Sequence, residues 1–346
     1  MLDFEDIFAK IKDNRAKSRD DRILIIDGLN AFCRVWASVP AISETGEHVG
    51  GVVGFLRSIG VNIRDFNPSR CIIVFDGKGG SLRRKKIFPE YKSGRTGKHN
   101  LSREGFSSVE EEKESMRRQM IRVVQYLNLL PVQIVCVDNI EADDAIAHLT
   151  MQYFQTKGSK VRIVSTDRDF LQLISTQVEV YSPVKKKLYN EQALIDEFNL
   201  HPNNYLLYRT ITGDASDTIP GIEGIGLKTL LKNFPELLET DVELDYIIER
   251  SEKVLKEEKK PKKIFQTIVE SKDILDRNHR LMQLQDTDIS LDSKNRIINL
   301  VESEIPKIDK YTFRKYLSED NLHVAFKNFE SWLPTTFNGL SIWATH

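Results

Sequence analysis

Short, unbroken apolar runs alternate with helical patterns through the first half of the chain, and this alternation limits the possible folds more than any other feature. The runs are rich in β-branched residues and cover residues 23–26, 71–75, 132–137, 161–164 and 178–181. Helical patterns occupy residues 49–66, 110–127 and 142–157. Apolar runs separated by helices are typical of parallel strands that are covered on both faces. The sequence therefore predicts an α/β fold with a parallel sheet.

Acidic residues lie where these strands are predicted to end, or beyond them. The set comprises nine carboxylates: Asp27, Asp76, Glu141, Asp143, Asp144, Asp167, Asp169, Asp214 and Asp217. A single aspartate in such a place is usually a turn or helix-capping residue. Several at the shared edge of one parallel sheet would repel one another, and a multivalent cation would relieve that repulsion. Oxygen ligands without cysteine or clustered histidine favour Mg²⁺ or Mn²⁺, so we predict a metal site there.

A basic segment begins at the same edge, directly after Asp76. Between residues 78 and 103 its only acid is Glu90, and its bases are Lys78, Arg83, Arg84, Lys85, Lys86, Lys92, Arg95, Lys98 and Arg103. Aromatic residues, including Tyr91, interleave with these bases. A charge run is often only a solvated face, but bases beside aromatic rings suit phosphates and unpaired nucleobases. We predict that this segment contacts nucleic acid.

The overall charge of the chain hides this segregation. Lysine and arginine number 50 against 51 acidic residues, a net charge of −1, whereas nucleic-acid binders often show a basic excess. The apolar runs are too short to span a membrane, and the acidic N-terminus lacks the pattern of a secretion signal. The three cysteines lie far apart among apolar residues, which favours reduced thiols.

A glycine-rich segment, residues 213–229, lies in the second half of the chain. It places Asp214 and Asp217 three residues apart and continues as Pro-Gly-Ile-Glu-Gly-Ile-Gly-Leu-Lys. Glycines permit a tight hairpin and let backbone amides approach a phosphate, and the N-terminus of a following helix favours an anion. The spacing predicts a helix-hairpin-helix with phosphate contacts at Gly221, Gly224, Gly226, Lys228 and Thr229. The alternative is a simple turn between two helices.

Together these motifs resemble those of the flap endonuclease and 5′→3′ exonuclease family, in the family's order, over about residues 22–290. The matching segments are Ile25-Ile-Asp-Gly28, Val74-Phe-Asp-Gly77, Pro89-Glu-Tyr-Lys92 with Arg95, Glu141-Ala-Asp-Asp144, Ser165-Thr-Asp-Arg-Asp169 and residues 213–226. The chain is most similar to the stand-alone phage 5′ nucleases (phage ribonuclease H type). The resemblance implies a PIN-like parallel sheet with helices on both faces, followed by a helical helix-hairpin-helix (H3TH) domain.

The resemblance also implies the roles of the site residues. Two Mg²⁺ (or Mn²⁺) ions would bind, the first to Asp27, Asp76, Glu141 and Asp143 or Asp144. The second would bind to Asp167, Asp169, Asp214 and Asp217, with Asp144 shared or nearby. Lys92 and Arg95 would be catalytic cations at the scissile phosphate, and Tyr91 would stack on a frayed base. DNA contacts are expected from Arg83, Arg84, Lys85 and Lys86 and from the hairpin, which would also hold K⁺.

We divide the chain into an N-terminal extension (1–20), a PIN-like catalytic domain (21–183) with a basic arch (78–106), a helix-hairpin-helix domain (184–290) and a C-terminal helical extension (291–346). In the first part, the spacing of Phe4, Ile7, Phe8 and Ile11 predicts one face of a short helix. That helix either rests on the catalytic domain or binds a partner. A lysine-rich stretch at 253–263 is either a solvated loop or an added duplex contact.

The resemblance implies a Mg²⁺-dependent, structure-specific 5′ nuclease that cuts DNA, and RNA primers on DNA, in replication and repair. It would be both a 5′-flap endonuclease and a 5′→3′ exonuclease. Expected partners are branched or nicked duplex DNA with a 5′ single strand, RNA–DNA hybrids, and a sliding clamp or single-strand-binding protein. We expect a monomer in a bacterial or phage-host cytoplasm, with no membrane contact. The alternatives are a non-catalytic DNA junction-binding protein, which would not need nine acids, and a PIN-like ribonuclease, which would lack the hairpin.

Overall fold

The computed structural model describes residues 18–94 and 106–345, and a six-stranded sheet forms the centre of its first half. The strands are β1 (Arg22–Asp27), β2 (Arg70–Asp76), β3 (Gln133–Val137), β4 (Lys160–Val164), β5 (Val178–Ser182) and β6 (Lys187–Tyr189). They lie in the order β3-β2-β1-β4-β5-β6. Neighbours among β1 to β5 are parallel, and β6 is antiparallel to β5. The five predicted strands and their parallel pairing are confirmed.

The sequence pattern does not predict strand β6, which carries the sheet past residue 183, where we placed the end of the catalytic domain. Three residues are too few to show a strand pattern. The strand forms because a short hairpin folds it back on β5, where Tyr189 pairs with Val180. Tyr189 is buried in this position. The sheet therefore ends at Tyr189, and the helical region begins directly after it.

The helices of the first half cover the two faces of the sheet. They are α1 (Gly28–Ser38), α2 (Gly50–Phe66), α3 (Leu82–Ile87), α4 (Val109–Leu127) and α5 (Ala142–Ala147). Alternate side chains of a strand point to opposite faces. Ile23 and Ile25 accordingly belong to the core that includes α5, whereas Leu24 and Ile26 belong to the core that includes α1, α2 and α4. The prediction of helices on both faces is confirmed.

A helical region follows the sheet. Its helices are α6 (Glu191–Phe198), α7 (Tyr205–Thr212), α8 (Leu227–Asn233), α9 (Leu244–Glu257), α10 (Lys263–Glu270) and α11 (Lys272–Met282). Between α7 and α8 a two-stranded hairpin forms from β7 (Gly213–Asp214) and β8 (Ile219–Pro220). Ile211, Leu230 and Phe234 belong to the same core as Ile23 and Ile25. The region is therefore packed on one face of the sheet.

The C-terminal helices return to the sheet. They are α12 (Leu291–Glu302), α13 (Lys310–Glu319) and α14 (Phe329–Ser341). Phe313 and Phe337 are fully buried in the core that contains Leu24. A methyl group on Gly60 of α2 would lie 2.8 Å from the indole nitrogen of Trp332, so α2 and α14 approach closely. Residues 303–341 therefore complete the cover of one sheet face.

The first described residues contact the C-terminal end of α12 and the start of strand β2. Arg19 donates a hydrogen bond to the carbonyl of Val301 at 3.2 Å, and Asp20 forms an ion pair with buried Arg70 at 2.6 Å. The apolar face predicted for the N-terminal extension lies outside the described residues. Within residues 18–94 and 106–345, no helix is long and apolar enough to cross a membrane.

Candidate functional site

Asp27 lies at the carboxyl end of β1, where the buried strand meets α1. The backbone amide of Asn30 donates to its Oδ1 at 3.1 Å, and the hydroxyl of Ser165 donates to its Oδ2 at 2.9 Å. Burial raises the pKa of Asp27 to about 7, and the neighbouring carboxylates of Asp167 and Asp76 act in the same direction. These hydrogen bonds oppose the shift without cancelling it. Asp27 is therefore a helix cap and also a member of an acidic group.

Three further carboxylates lie in this acidic group. Burial raises the pKa of Asp143, and Asp167 raises it further by repulsion. Asp167 has a raised pKa through burial and through its acidic neighbours. Asp169 has its pKa raised to about 7, by burial first and then by Asp167. Asp27, Asp143, Asp167 and Asp169 thus form a group of mutually repelling acids, of which Asp27 is buried and the other three are partly buried, and we call it the acidic cluster.

Glu141 and Asp144 lie beside this cluster but are paired with arginine. The guanidinium of Arg84 donates to both oxygens of Asp144 at 2.8 Å and also contacts Glu141. Burial alone would raise the pKa of each carboxyl group, but Arg84 outweighs it together with Lys92 at Glu141 and together with Arg83 at Asp144, so both pKa values are lowered. Arg83 adds a second ion pair to Asp144 at 2.9 Å.

Arg84 was predicted as a DNA contact, and its position differs from that prediction. It is only 2% exposed, and its Nε donates to the carbonyl of Leu281 at 2.9 Å. A side chain enclosed in this way does not present its charge to a passing phosphate. Sequence reasoning missed the burial because Arg84 stands in an otherwise exposed basic run, next to exposed Lys85 and Lys86.

Lys92 stands at the base of the arch and faces the acids. Its ammonium group contacts Glu141, and its backbone amide donates to the carbonyl of Asp217 at 2.9 Å. Burial would lower the pKa of Lys92, but Asp143, Glu141 and Asp217 outweigh it and raise that pKa. The residue has φ 58°, a left-handed conformation that costs a lysine energy. Surrounding contacts hold this strained backbone in place and aim the ammonium group at the carboxylates.

Tyr91 is enclosed and does not offer a stacking surface. It is 2% exposed and packs with Leu206, Ile219, Leu281 and Met282. Its hydroxyl lies 3.5 Å from the carboxylate of Glu141. The predicted role in stacking on a frayed base is therefore not supported by this placement. Arg95, the other predicted catalytic cation, lies outside the described residues.

Arg209 links an acid that follows strand β4 to an acid of the β7–β8 hairpin. Its Nε donates to Asp169 at 3.1 Å and its Nη2 to Asp214 at 2.6 Å. Sequence reasoning missed this residue, although a lone arginine five residues before Asp214 in a largely apolar helix was an available signal. Asp217 is buried, and Asp76 accepts a hydrogen bond from the amide of Ala142 at 2.9 Å. All nine predicted carboxylates therefore belong to one region, at the strand ends and the hairpin.

The chemistry of this region suits a divalent cation, although its side chains are not arranged as a finished coordination sphere. Within residues 18–94 and 106–345, no three His, Cys, Asp or Glu side chains converge closely enough to hold a metal ion as they stand. The acidic cluster is nevertheless partly buried, oxygen-only and self-repelling, which is the environment that a hard cation stabilises. Arg84 pairs with Glu141 and Asp144, Lys92 pairs with Glu141, and Arg209 pairs with Asp214 and also with Asp169 of the cluster.

An exposed glycine turn at residues 221–226 follows the β7–β8 hairpin and lies next to the arch. Gly224 and Gly226 are exposed, as is Lys228, whereas Thr229 is partly buried. Gly224 has φ +78°, which favours glycine. Buried Asn278 holds the hairpin, because its Nδ2 donates to the carbonyls of Thr210 at 3.1 Å and Pro220 at 2.8 Å. The amide of Gly94 donates to Thr218 at 3.1 Å and so ties the arch base to this hairpin.

Substitution by alanine should have different effects at two glycines of the turn. A Cβ on Gly221 would lie 2.1 Å from the carbonyl oxygen of Thr212, whereas one on Gly226 would meet nothing within 4 Å. We expect Gly221→Ala to destabilise the protein by about 2 kcal/mol or more. Gly226→Ala should leave stability almost unchanged but weaken duplex binding several-fold. Thermal unfolding and equilibrium DNA binding measure the two effects, and equal melting temperatures for both variants would contradict the expectation.

The chain matches one family model and several known proteins. The family described as "5′-3′ exonuclease, N-terminal resolvase-like domain" matches residues 22–199. A 5′-3′ exonuclease of Aquifex aeolicus is 29% identical over 245 residues, which cover 65% of this chain and 79% of that protein. A thermostable DNA polymerase I of Thermus thermophilus is 31% identical over 216 residues, 62% of this chain but only 24% of the polymerase.

Two solved structures show the same fold. The T5 5′-exonuclease with bound zinc has a TM-score of 0.61 and 21% identity, covering 88% of this chain and 100% of that one. The bacteriophage T5 flap endonuclease in a complex with DNA and metal ions has a TM-score of 0.59 and 22% identity, covering 88% and 99% of the two chains. At these identities the likeness concerns the fold alone.

Proposed function

The chain belongs to the flap endonuclease and 5′→3′ exonuclease family, and from this premise we propose that it is a divalent-metal-dependent, structure-specific 5′ nuclease. The observation that carries the proposal is the acidic cluster, because partly buried, mutually repelling carboxylates are costly to the fold and useful to a metal. Lys92 beside the cluster supplies the positive charge that a phosphodiester needs.

We assign the metal to residues of this chain. Asp27, Asp143, Asp167 and Asp169 would hold it, with Asp76, Asp214 and Asp217 around them. Glu141 and Asp144, which were predicted to take part in the metal site, are held by Arg84 and would complete the site from that position. Two Mg²⁺ or Mn²⁺ ions are the proposed complement, and when bound such ions activate water and stabilise the leaving oxygen in phosphodiester hydrolysis. The T5 structures, which contain metal ions, support the choice of a divalent metal.

The chain's own residues bind and orient the substrate. Lys92 would bind the scissile phosphate, and its position is set by its bond to Asp217 and its contact with Glu141. The hairpin at Gly221–Gly226 and Lys228 would hold the duplex backbone. Lys85 and Lys86, which are exposed on the arch, would attract the 5′ single strand. Arg83 forms an ion pair with Asp144, so we assign it to the acidic site and not to binding of the 5′ single strand.

The proposed substrates are 5′ flaps and nicked duplexes, including RNA primers paired with DNA, in replication and repair. The DNA polymerase I relatives and the DNA-bound T5 enzyme support this choice. A K⁺ ion at the hairpin, a sliding clamp or single-strand-binding partner, and a monomeric state remain predictions. A non-catalytic junction binder is the competing function.

The test is incubation of the purified protein with end-labelled flap DNA, nicked DNA and an RNA–DNA hybrid, with Mg²⁺ or with a chelator. We expect cleavage near the single-strand/duplex junction that needs the metal and leaves a 5′-phosphate. Binding to the flap without any cleavage in Mg²⁺ or Mn²⁺ would favour the junction binder. Cleavage confined to single-stranded RNA would favour a PIN-like ribonuclease.

Lys92→Ala should slow the chemical step by about 100-fold or more, because a charge at the scissile phosphate acts mainly on the transition state. Its effect on DNA affinity should be small. Single-turnover cleavage at saturating enzyme separates the two quantities. Lys113→Ala, on the exposed surface of α4, is the matched control and should leave both unchanged. A loss of affinity with an unaltered single-turnover rate would assign Lys92 to binding alone.

A further inference from the structure

The loop between α9 and α10, together with the helix ends that adjoin it, carries positive charge that the proposed nuclease site does not use. The eight residues Lys256–Lys263 contain five lysines and two glutamates. Lys256, Lys259, Lys260 and Lys263 are exposed, and within the described part of the chain their ammonium groups form no ion pair or hydrogen bond. Concentrated, unpaired positive charge of this kind attracts a polyanion. We call residues 256–263 the lysine loop.

The lysine loop is fixed against the C-terminal end of α8, the helix that follows the hairpin. The ammonium group of Lys262 donates to Oδ1 of Asn233 at 2.9 Å. The rings of Phe265 and Phe234 pack with centroids 5.7 Å apart, and the guanidinium of Arg250 lies 5.3 Å from the Phe234 ring. These contacts come from both helices that flank the loop. Its position relative to the hairpin is therefore set by packing.

Helix α8 connects the two basic regions. Lys228 and Lys232 are exposed and one turn apart, so they lie on the same face of the helix. The seven residues of α8 rise about 10 Å from the hairpin to the lysine loop. One strand of B-DNA carries a phosphate about every 3.4 Å along the axis. A backbone that follows α8 from the glycine turn would therefore reach the loop about three base pairs further along.

We propose that the lysine loop is a second phosphate-binding site, which holds the backbone of duplex DNA beyond the hairpin contact. The inference rests on the proposed function only in taking duplex DNA as the ligand of the hairpin. Lysines bind phosphate as point charges and read no bases, so the site would sense the length of the duplex and not its sequence. An acidic protein surface is the other polyanion that could bind there, and the test separates the two.

The test compares the triple variant Lys259→Gln, Lys260→Gln and Lys263→Gln with a control of equal charge change. The control is Lys307→Gln, Lys310→Gln and Lys327→Gln, three exposed lysines of the C-terminal region. Affinity for a series of flap substrates with downstream duplex arms of increasing length is measured at several KCl concentrations. The metal is Ca²⁺, in which we expect binding without rapid cleavage. Circular dichroism checks that both variants fold.

For wild type and control, affinity should rise as the arm grows past the hairpin contact. For the lysine-loop variant this rise should be absent, leaving about 10-fold weaker binding to the longest arm at 0.1 M salt. The slope of log affinity against log salt should fall by about two, the value for two lost phosphate contacts. Cleavage of the shortest substrate, measured in Mg²⁺, should be unaltered.

Three results would overturn the proposal. Equal affinities and salt slopes for wild type and the lysine-loop variant would show that duplex DNA does not touch the loop, and would leave an acidic protein as its partner. An equal loss on short and long arms would place the loop elsewhere on the DNA. An equal loss of affinity in the control would show that the effect comes from net charge and not from the position of the lysine loop. Absence of cleavage in the wild type would instead contradict the proposed nuclease function, whatever the loop binds.

Discussion

Asp167→Asn should abolish metal-dependent cleavage of a 5′ flap, by about a thousandfold or more, while flap binding persists. Asp167 lies between Asp143, Asp169 and the hairpin acids, so it contributes negative charge to the whole acidic cluster. Removing that charge weakens the attraction for a divalent metal. Asparagine is isosteric and its carbonyl can still accept the 2.8 Å bond from the amide of Asp169. The local backbone should therefore survive the change.

The same variant should be more stable than wild type in the absence of metal. A partly buried carboxylate among like charges opposes folding, and replacing it removes this repulsion. We expect a gain of about 1 kcal/mol, or about 2 °C in melting temperature. Mg²⁺ should raise the melting temperature of wild type and leave that of Asp167→Asn almost unchanged. Calorimetry in chelator and in Mg²⁺ measures both effects independently of cleavage.

The matched control is Asp276→Asn, an exposed aspartate in the middle of α11. It removes the same charge away from the site and should alter neither cleavage nor the Mg²⁺-dependent shift. Full cleavage by Asp167→Asn would contradict the assignment of the metal to the acidic cluster. A loss of cleavage with an intact Mg²⁺ shift would mean that Asp167 acts on substrate and not on metal.

Arg84→Met should destabilise the protein by about 3–5 kcal/mol, the cost of leaving buried carboxylates without their partner. The guanidinium satisfies both oxygens of Asp144, contacts Glu141 and reaches the carbonyl of Leu281. Methionine fills part of the volume but provides no charge. Urea unfolding should show the loss as a lower midpoint, and cleavage should fall because the carboxylates lose their orientation.

Two companion variants separate the ion pair from packing. Arg83→Met removes one partly exposed ion pair to Asp144 and should cost about 1 kcal/mol or less. The double variant Arg84→Met with Asp144→Asn should recover part of the stability, because one unpaired charge is gone. The single variant Asp144→Asn completes this double-mutant cycle, and additive losses would show that Arg84 and Asp144 do not stabilise the fold through their ion pair.

Much of the fold follows from local patterns. A continuous apolar run such as residues 71–75 determines a buried strand, and the acid that follows it is carried to the strand end whatever else the chain does. The same reasoning predicted the helices at 49–66 and 110–127, which form at Gly50–Phe66 and Val109–Leu127. Strand β6 was not predicted, because only its pairing with β5 makes these three residues a strand.

The sequence by itself determined the parallel sheet, the acids at its edge and the glycine hairpin, because each depends on periodicity or on a neighbour a few residues away. Only the tertiary structure decided which acids repel and which are paired. Arg84 lies 57 and 60 residues from Glu141 and Asp144, and Arg209 lies 40 residues from Asp169. The burial of Tyr91 likewise depends on residues more than a hundred positions away. Charge compensation in a buried site is set by three-dimensional proximity, and no local pattern encodes it.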